Sequence, residues 1–345
     1  MMTKQQILLH RYTFFVAVCT FFLVIAGGLV TSTGSALAVP DWPLSYGQLM
    51  PPMVGGILYE HGHRMIASFV GLLTVVLAVW YWKKEERRWV RNLALVALGA
   101  VILQGVLGGM TVLFLLPVPI SVSHATIAQT FFAIIVSLTL FTSSWWRNSR
   151  SDWQESGQGF SLLTASTVLV GAVYVQLILG ALMRHTDSGL AIPDFPLAYG
   201  QLIPSLSPAA VAQYNAQLLQ DNIRIAAEGP IVAGQVLIHF LHRAWAVVLL
   251  MIALWTSVKA FKADPSSKRL RMFGVLIPVE LAVQIALGAF TVVTRKEVDI
   301  TTAHVANGAL MLITSVLLLL HVARLRGVTW KGVIPVLILR KEAVV

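Results

Sequence analysis

Residues 27–51 read GGLVTSTGSALAVPDWPLSYGQLMP, and residues 180–204 read GALMRHTDSGLAIPDFPLAYGQLIP. The two align without a gap at an offset of 153 residues, from 27 to 180. Chance likeness is cheap between apolar helices. It is not cheap between Pro40-Asp41-Trp42-Pro43 and Pro193-Asp194-Phe195-Pro196, whose prolines fix tight polar turns. Further along, QGVLGGMTV from Gln104 matches QIALGAFTV from Gln284, and His63-Arg64 matches His242-Arg243. The chain is therefore a duplication, with halves at 1–150 and 151–345 and extra residues in the second half somewhere in 205–235.

The sequence around these motifs is strongly apolar. Runs near 13–31, 62–82, 92–115, 122–144, 161–183, 233–258, 272–294 and 302–323 each approach the ~20 residues that a helical membrane span needs. Over 345 residues, 57% are hydrophobic and 12% charged, with mean hydropathy +0.77; an ordinary soluble domain carries about 25% charged residues. These values exclude a soluble globule, a disordered chain and a repeat solenoid. The net charge of +10 is read as orientation, not as a nucleic-acid footprint. Of the 25 Lys and Arg, 19 fall in the amino end, the 83–91, 147–160 and 259–271 loops and the tail after 323. By the positive-inside rule both termini are cytoplasmic. The first run lacks a convincing cleavage site and is read as an uncleaved span. Trp82, Trp89, Trp145, Trp146 and Trp330, with His10 and His321, are expected at the cytoplasmic interface, and Cys19 is an apolar filler.

Each half has four spans, so both halves enter the membrane in the same direction. The expected fold is all-α and integral to the membrane. It has eight transmembrane helices in two four-helix bundles, related by a pseudo-two-fold axis along the membrane normal.

Four of the nine histidines obey the repeat: His63 with His242, and His124 with His304. Each lies near the outer end of its span, so each half offers two imidazoles from two helices at one depth. Ionisable side chains inside spans are costly and usually functional. Two facing imidazoles suit the axial positions of a haem between helices. Zinc fits less well, because neither half offers a convincing third ligand. His61 lies close to His63, but its twin is Phe240; His185, opposite Ser32, reads as a loop residue.

The halves differ one turn before the first ligand. Glu60-His61-Gly62-His63-Arg64 stands against His239-Phe240-Leu241-His242-Arg243, so Glu60 and His239 occupy equivalent places on their helices. A carboxylate above a macrocycle accepts a proton or stabilises a developing cation; the plain alternative is an i, i+4 pair with Arg64. Arg64 and Arg243 are candidates to pair with porphyrin propionates. Asp41 and Asp194 read as structural residues of turns that lid the sites.

Together, Glu-x-x-His-Arg, the second His-Arg, the later His of each half and the duplicated Pro-Asp-aromatic-Pro loops resemble haem A synthase, over residues 12–325. The resemblance implies an oxidoreductase that converts haem O to haem A for terminal oxidases. One porphyrin methyl becomes a formyl group through hydroxymethyl and hydrated aldehyde stages, with water as the oxygen source. It implies haem O as substrate between His63 and His124, haem B as cofactor between His242 and His304, and Glu60 as the catalytic carboxylate. Haem O synthase, an electron acceptor, the bilayer of the plasma membrane and a homo-oligomer are the implied partners and setting. The cysteine pair that some bacterial members carry in the first outer loop is absent from residues 32–60. The alternative function is a di-haem b-type electron-transfer cytochrome that does no chemistry on the porphyrin.

Overall fold

The computed structural model describes residues 2–149, 161–223 and 229–328. Among them the fold is all helical, with eight helices long and apolar enough to cross a membrane. These are α1 (Lys4–Ser32), α2 (Gly56–Lys84), α3 (Arg88–Leu113) and α4 (Val118–Thr142) in the first half. The second half supplies α6 (Leu162–His185), α8 (Ala233–Ala263), α9 (Lys268–Val293) and α10 (Val298–Leu325). Two shorter helices, α5 (Ser144–Asn148) and α7 (Pro208–Gln220), lie between them. The helices run several residues past the apolar windows, because polar and basic residues continue the hydrogen-bond ladder beyond the hydrocarbon layer. A helix of 29 residues is about 44 Å long at 1.5 Å per residue. Thr3 caps α1 in a reciprocal pair with Gln6, and serines cap α5, α6, α7 and α9.

Within each half the four helices close a ring: α1–α2–α3–α4–α1 and α6–α8–α9–α10–α6. Across the halves α1 packs on α10, α4 on α6, and α4 on α10. Exchanging the halves turns α1–α10 into α6–α4 and leaves α4–α10 unchanged, so these contacts have the pattern of a two-fold relation. Burial follows position. In α10, 67% of the apolar window is buried, against 17% for α9 and 22% for α3, which face outward. One apolar cluster fills the first ring around Val16, Leu77, Tyr81 and Leu138. Another fills the second around Leu169, Leu249, Leu281 and Leu312 and reaches Phe132 of α4.

Several polar groups inside the bundle are paired locally, as a bilayer favours. Tyr81, fully buried, shares a hydrogen bond with Thr13 and donates to the Leu138 carbonyl. Pro278 breaks the α9 ladder, and the freed Gly274 carbonyl accepts from Ser257. At the basic end, Glu85 accepts from Arg87 and Arg147, at 2.8 and 2.9 Å. The expected interfacial row is split. Trp82 is exposed, but Trp146 is buried against Phe141, and Trp145 stacks on buried His321 at 4.2 Å. His10 faces Thr139 and Thr142 of α4. These groups join helices instead of anchoring them in headgroups. Trp330 lies outside the described residues.

The extra residues of the second half include α7, whose Tyr214 and Leu218 pack with Ile192, Ala198 and Val236. Tyr214 stacks on Tyr199 with ring centroids 3.7 Å apart, and Asn215 brackets Ile231 with two hydrogen bonds. The insertion thus covers the second Pro-Asp loop. The first loop has no such cover, and its Tyr46 is 52% exposed.

Candidate functional site

The two loops are built alike, down to individual atoms. Asp41 accepts from the backbone N–H groups of Tyr46 and Gly47 at 2.6 and 2.8 Å; Asp194 does the same for Tyr199 and Gly200 at 2.8 and 2.9 Å. Tyr46 and Tyr199 both have φ 53°, and the glycines that follow have φ 70° and 74°. Two successive left-handed residues favour glycine at the second position. The tyrosine hydroxyls close the turns on the carbonyls of Ala38 and Ala191, each at 2.7 Å. The N–H donors from Gly47 and Tyr46 hold the Asp41 carboxyl below the usual carboxylate range.

Each loop is pinned to a helix by the residues that the sequence singled out. Glu60, 4% exposed, accepts from the Val39 N–H at 2.8 Å and from Arg64 at 2.6 Å. In the equivalent place, His239 Nδ1 lies 3.2 Å from the Ile192 N–H and its Nε2 3.1 Å from Arg243 Nε, and a neutral imidazole accepts at only one of the two nitrogens. Arg64 also donates to the carbonyls of Asp41, Leu44 and Val39, and Arg243 to those of Leu197 and Ile192. The i, i+4 pairing of Glu60 with Arg64 therefore exists, and it fixes the carboxylate beside the loop. His61 pairs with Ser45 through Nδ1 at 2.7 Å, leaving its buried Nε2 without a partner. Their twins, Phe240 and Ala198, are apolar together.

The four repeated histidines come together as two pairs. His63 of α2 and His124 of α4 interact electrostatically, as do His242 of α8 and His304 of α10. Every one of them faces a glycine on a neighbouring helix. A Cβ on Gly27 would lie 3.2 Å from His63 Cε1, and one on Gly108 3.4 Å from His124 Cε1. Gly180 and Gly288 stand in the same way to His242 and His304, both at 3.1 Å. Glycine there leaves each ring the room that a side chain would take. The Nδ1 atoms of His63, His124 and His304 are buried without a protein partner. Among the described residues no three His, Cys, Asp or Glu side chains gather into a metal site. Two imidazoles from facing helices are instead the donor set for an iron whose other four ligands come from a macrocycle. The residues present fit a haem in each half.

Second-layer contacts hold the ligands unequally. Gln104 and Gln284 donate to the carbonyls of His124 and His304, at 3.1 and 3.0 Å. Gln176 donates to the His242 carbonyl and also touches its ring at 3.3 Å. The residue equivalent to Gln176 in the first half is Leu23, so His63 has no counterpart. Beyond Gln284, Asn307 bridges Gln284 and the Glu280 carbonyl, and Thr314 donates to the Glu280 carboxylate at 2.8 Å.

Sequence reasoning missed a crossing between the halves. Arg184 of α6 donates to Gly28 and Ser32 of α1, and it acts electrostatically on His304. His185, read as a loop residue, ends α6. The available signal was the absence of a twin: Arg184 and His185 stand opposite Thr31 and Ser32.

Fold and site together define an integral membrane protein with two repeated pairs of half-buried imidazoles. A family model described as COX15-CtaA, cytochrome oxidase assembly protein, matches residues 10–56 and 53–316. The chain belongs to this family. It is similar to the heme A synthase of Halalkalibacterium halodurans, with 26% identity over 318 residues, 89% of this chain and 94% of that protein. The heme A synthase of Shouchella clausii is 29% identical over 251 residues, 70% of this chain and 73% of that protein. That of Alkalihalophilus pseudofirmus is 30% identical over 210 residues, 60% and 69% of the two chains.

Proposed function

We propose that this protein is a haem A synthase, an oxidoreductase that turns one methyl group of haem O into the formyl group of haem A. The observation that carries the reading is the asymmetry of otherwise matching sites: Glu60 occupies in the first half the place that His239 holds in the second. The relatives' names and the family match support the activity. The paired imidazoles support two haem sites, with haem O held as substrate by His63 and His124 and haem B held by His242 and His304. When bound, haem B supplies a one-electron relay. Each half is taken as one bundle, 1–150 for the substrate and 151–345 for the cofactor, about a pseudo-two-fold axis along the membrane normal. The setting is the plasma membrane, with both termini cytoplasmic and both sites near the opposite face. Haem O synthase upstream and an electron acceptor downstream complete the reaction sequence, and self-association is part of the proposal.

The residues divide the work as follows. His63 and His124 would hold the substrate by its iron, and the reaction concerns a methyl group on the ring. Adding water to the substrate methyl to give hydroxymethyl releases two electrons and two protons. Glu60 is pre-oriented by the Val39 N–H and by Arg64. It stabilises positive charge developing at the methyl carbon and takes a proton as water adds. Arg64 and Arg243 anchor the loops through the loop carbonyls.

Glu60→Gln keeps the size and the Val39 contact but removes the base. Expected is normal haem content with haem A formation reduced at least about 100-fold. Undiminished formation of haem A would refute the role. A di-haem electron-transfer cytochrome would yield haem B alone on pigment extraction, whatever residue stands at 60.

A further inference from the structure

Each of the two helices that offer a glycine to the second-half histidines has a cation towards or just past its C-terminal end. On α6, Gly180 faces His242, and Arg184 follows at i+4. On α9, Gly288 faces His304, and Lys296 follows two turns on, just past the helix end at Val293. Lys296 is held in left-handed backbone at φ 69°. Its aliphatic stem lies against Gly189, where a Cβ would stand 3.0 Å from Lys296 Cε. The cations interact with each other, Arg184 also with His304, and Lys296 also with His239. Ion pairs among the described residues involve Glu60 and Glu85, and neither reaches Arg184 or Lys296. Arg184 Nη2 is spent on α1, and the nearest acid to act on Lys296, Asp187, lies beyond ion-pair distance. Burial, together with the repulsion of Arg184, pulls the Lys296 ammonium below the usual lysine range despite Asp187.

The first half has the same backbone without the charges. Thr31 replaces Arg184, and Leu116, also left-handed at φ 60°, replaces Lys296. Two half-buried cations without an ion pair, beside one pair of imidazoles, suit a dianion, since charge withdrawn from water needs a partner.

We propose that Arg184 and Lys296 form the carboxylate-binding end of the second-half site, gripping the two propionates of the ring between His242 and His304. Their absence from the first half lets the ring there leave as product. This inference rests on the reading of the second half as a haem site, and it names the residues that make that site permanent.

The test is haem transfer from the purified, haem-loaded protein to apomyoglobin, followed by absorbance. Expected for Arg184→Gln with Lys296→Gln is a second-half transfer rate at least tenfold above wild type, with unchanged bis-imidazole bands in the fraction still bound. Arg184→Lys with Lys296→Arg should restore slow transfer. Conversely, Thr31→Arg with Leu116→Lys should slow release from the first half at least tenfold. Wild-type rates in both charge-removing and charge-adding variants would overturn the proposal. A wild-type protein whose haem bands are indifferent to His242→Ala and His304→Ala would instead overturn the reading beneath it.

Discussion

The two halves share a backbone and differ in what they mount on it. In the second half both ligands have a glutamine behind them, two cations flank the site, and α7 covers the loop. In the first, Leu23 stands where Gln176 would be, Thr31 and Leu116 replace the cations, and the loop is bare. The first half has instead the buried carboxylate of Glu60. On the proposed reading, a duplicated scaffold of this kind would separate holding from reacting. Features that would slow exchange are concentrated in one copy, and the single acid beside a ligand is in the other. Glu60 and His239 face the same two neighbours, the loop N–H and the arginine, but the carboxylate accepts from both whereas a neutral imidazole accepts from one. The difference is in chemistry, because a carboxylate can balance a cation and accept its proton.

The comparison can be broken most forcefully at the glycines. Gly180→Val puts a branched side chain where a Cβ is already 3.1 Å from His242, and the ring must move. Haem content of the second half should fall about 10–100-fold, the range for displaced ligand support. Gly27→Val should instead weaken retention of haem O while leaving haem B in place. Quantitative pigment extraction separates the two, and equal loss of both pigments from either variant would show that the halves are not independent sites.

A second test exchanges a packed pair. A Cβ on Gly109 would lie 2.8 Å from the Trp42 ring, so α3 needs glycine there to receive the first loop. The second-half sequence has Phe195 and Ala289 at these places, a smaller ring against a larger helix residue. Gly109→Ala alone should cost about 1–3 kcal/mol through overpacking, read as a lower unfolding temperature in detergent. Adding Trp42→Phe should recover most of that loss; no recovery would mean the swap is not compensatory.

The smallest effect is pH dependence of the uncovered loop. Asp41 has its pKa lowered in the folded state, so its contribution is complete above the unfolded value of about 3.9. It is lost as pH falls through the lower folded value. Protease cleavage within residues 33–55 should therefore stay slow at neutral pH and rise only below about pH 4. Asp41→Asn should be cleaved faster already at pH 7, having lost one of the two oxygen acceptors.

Much of this architecture was legible in the sequence. Apolar runs long enough to span a bilayer marked all eight helices, and the invariance of His63, His124, His242 and His304 between copies marked the paired imidazoles. Helix ends were missed because hydropathy reports the hydrocarbon layer, whereas backbone hydrogen bonding continues past it into residues such as Lys4 and Lys84. Contacts between copies were missed for another reason. A repeat alignment pairs Arg184 with Thr31, but Arg184 bonds to Gly28 and Ser32, an arrangement set by how the halves pack, with α1 on α10 and α4 on α6. Trp145 and His321 looked interfacial by position, yet they pack on each other because α5 folds back across the basic end.

The central claim is that the halves hold two chemically different haems and that the first is the one transformed. It is tested most directly by extracting and identifying porphyrins from His63→Ala and His242→Ala proteins made alongside haem O. The account predicts that His242→Ala loses haem B and that His63→Ala keeps haem B while yielding no haem A. Haem A formed at the wild-type level by His63→Ala would contradict it.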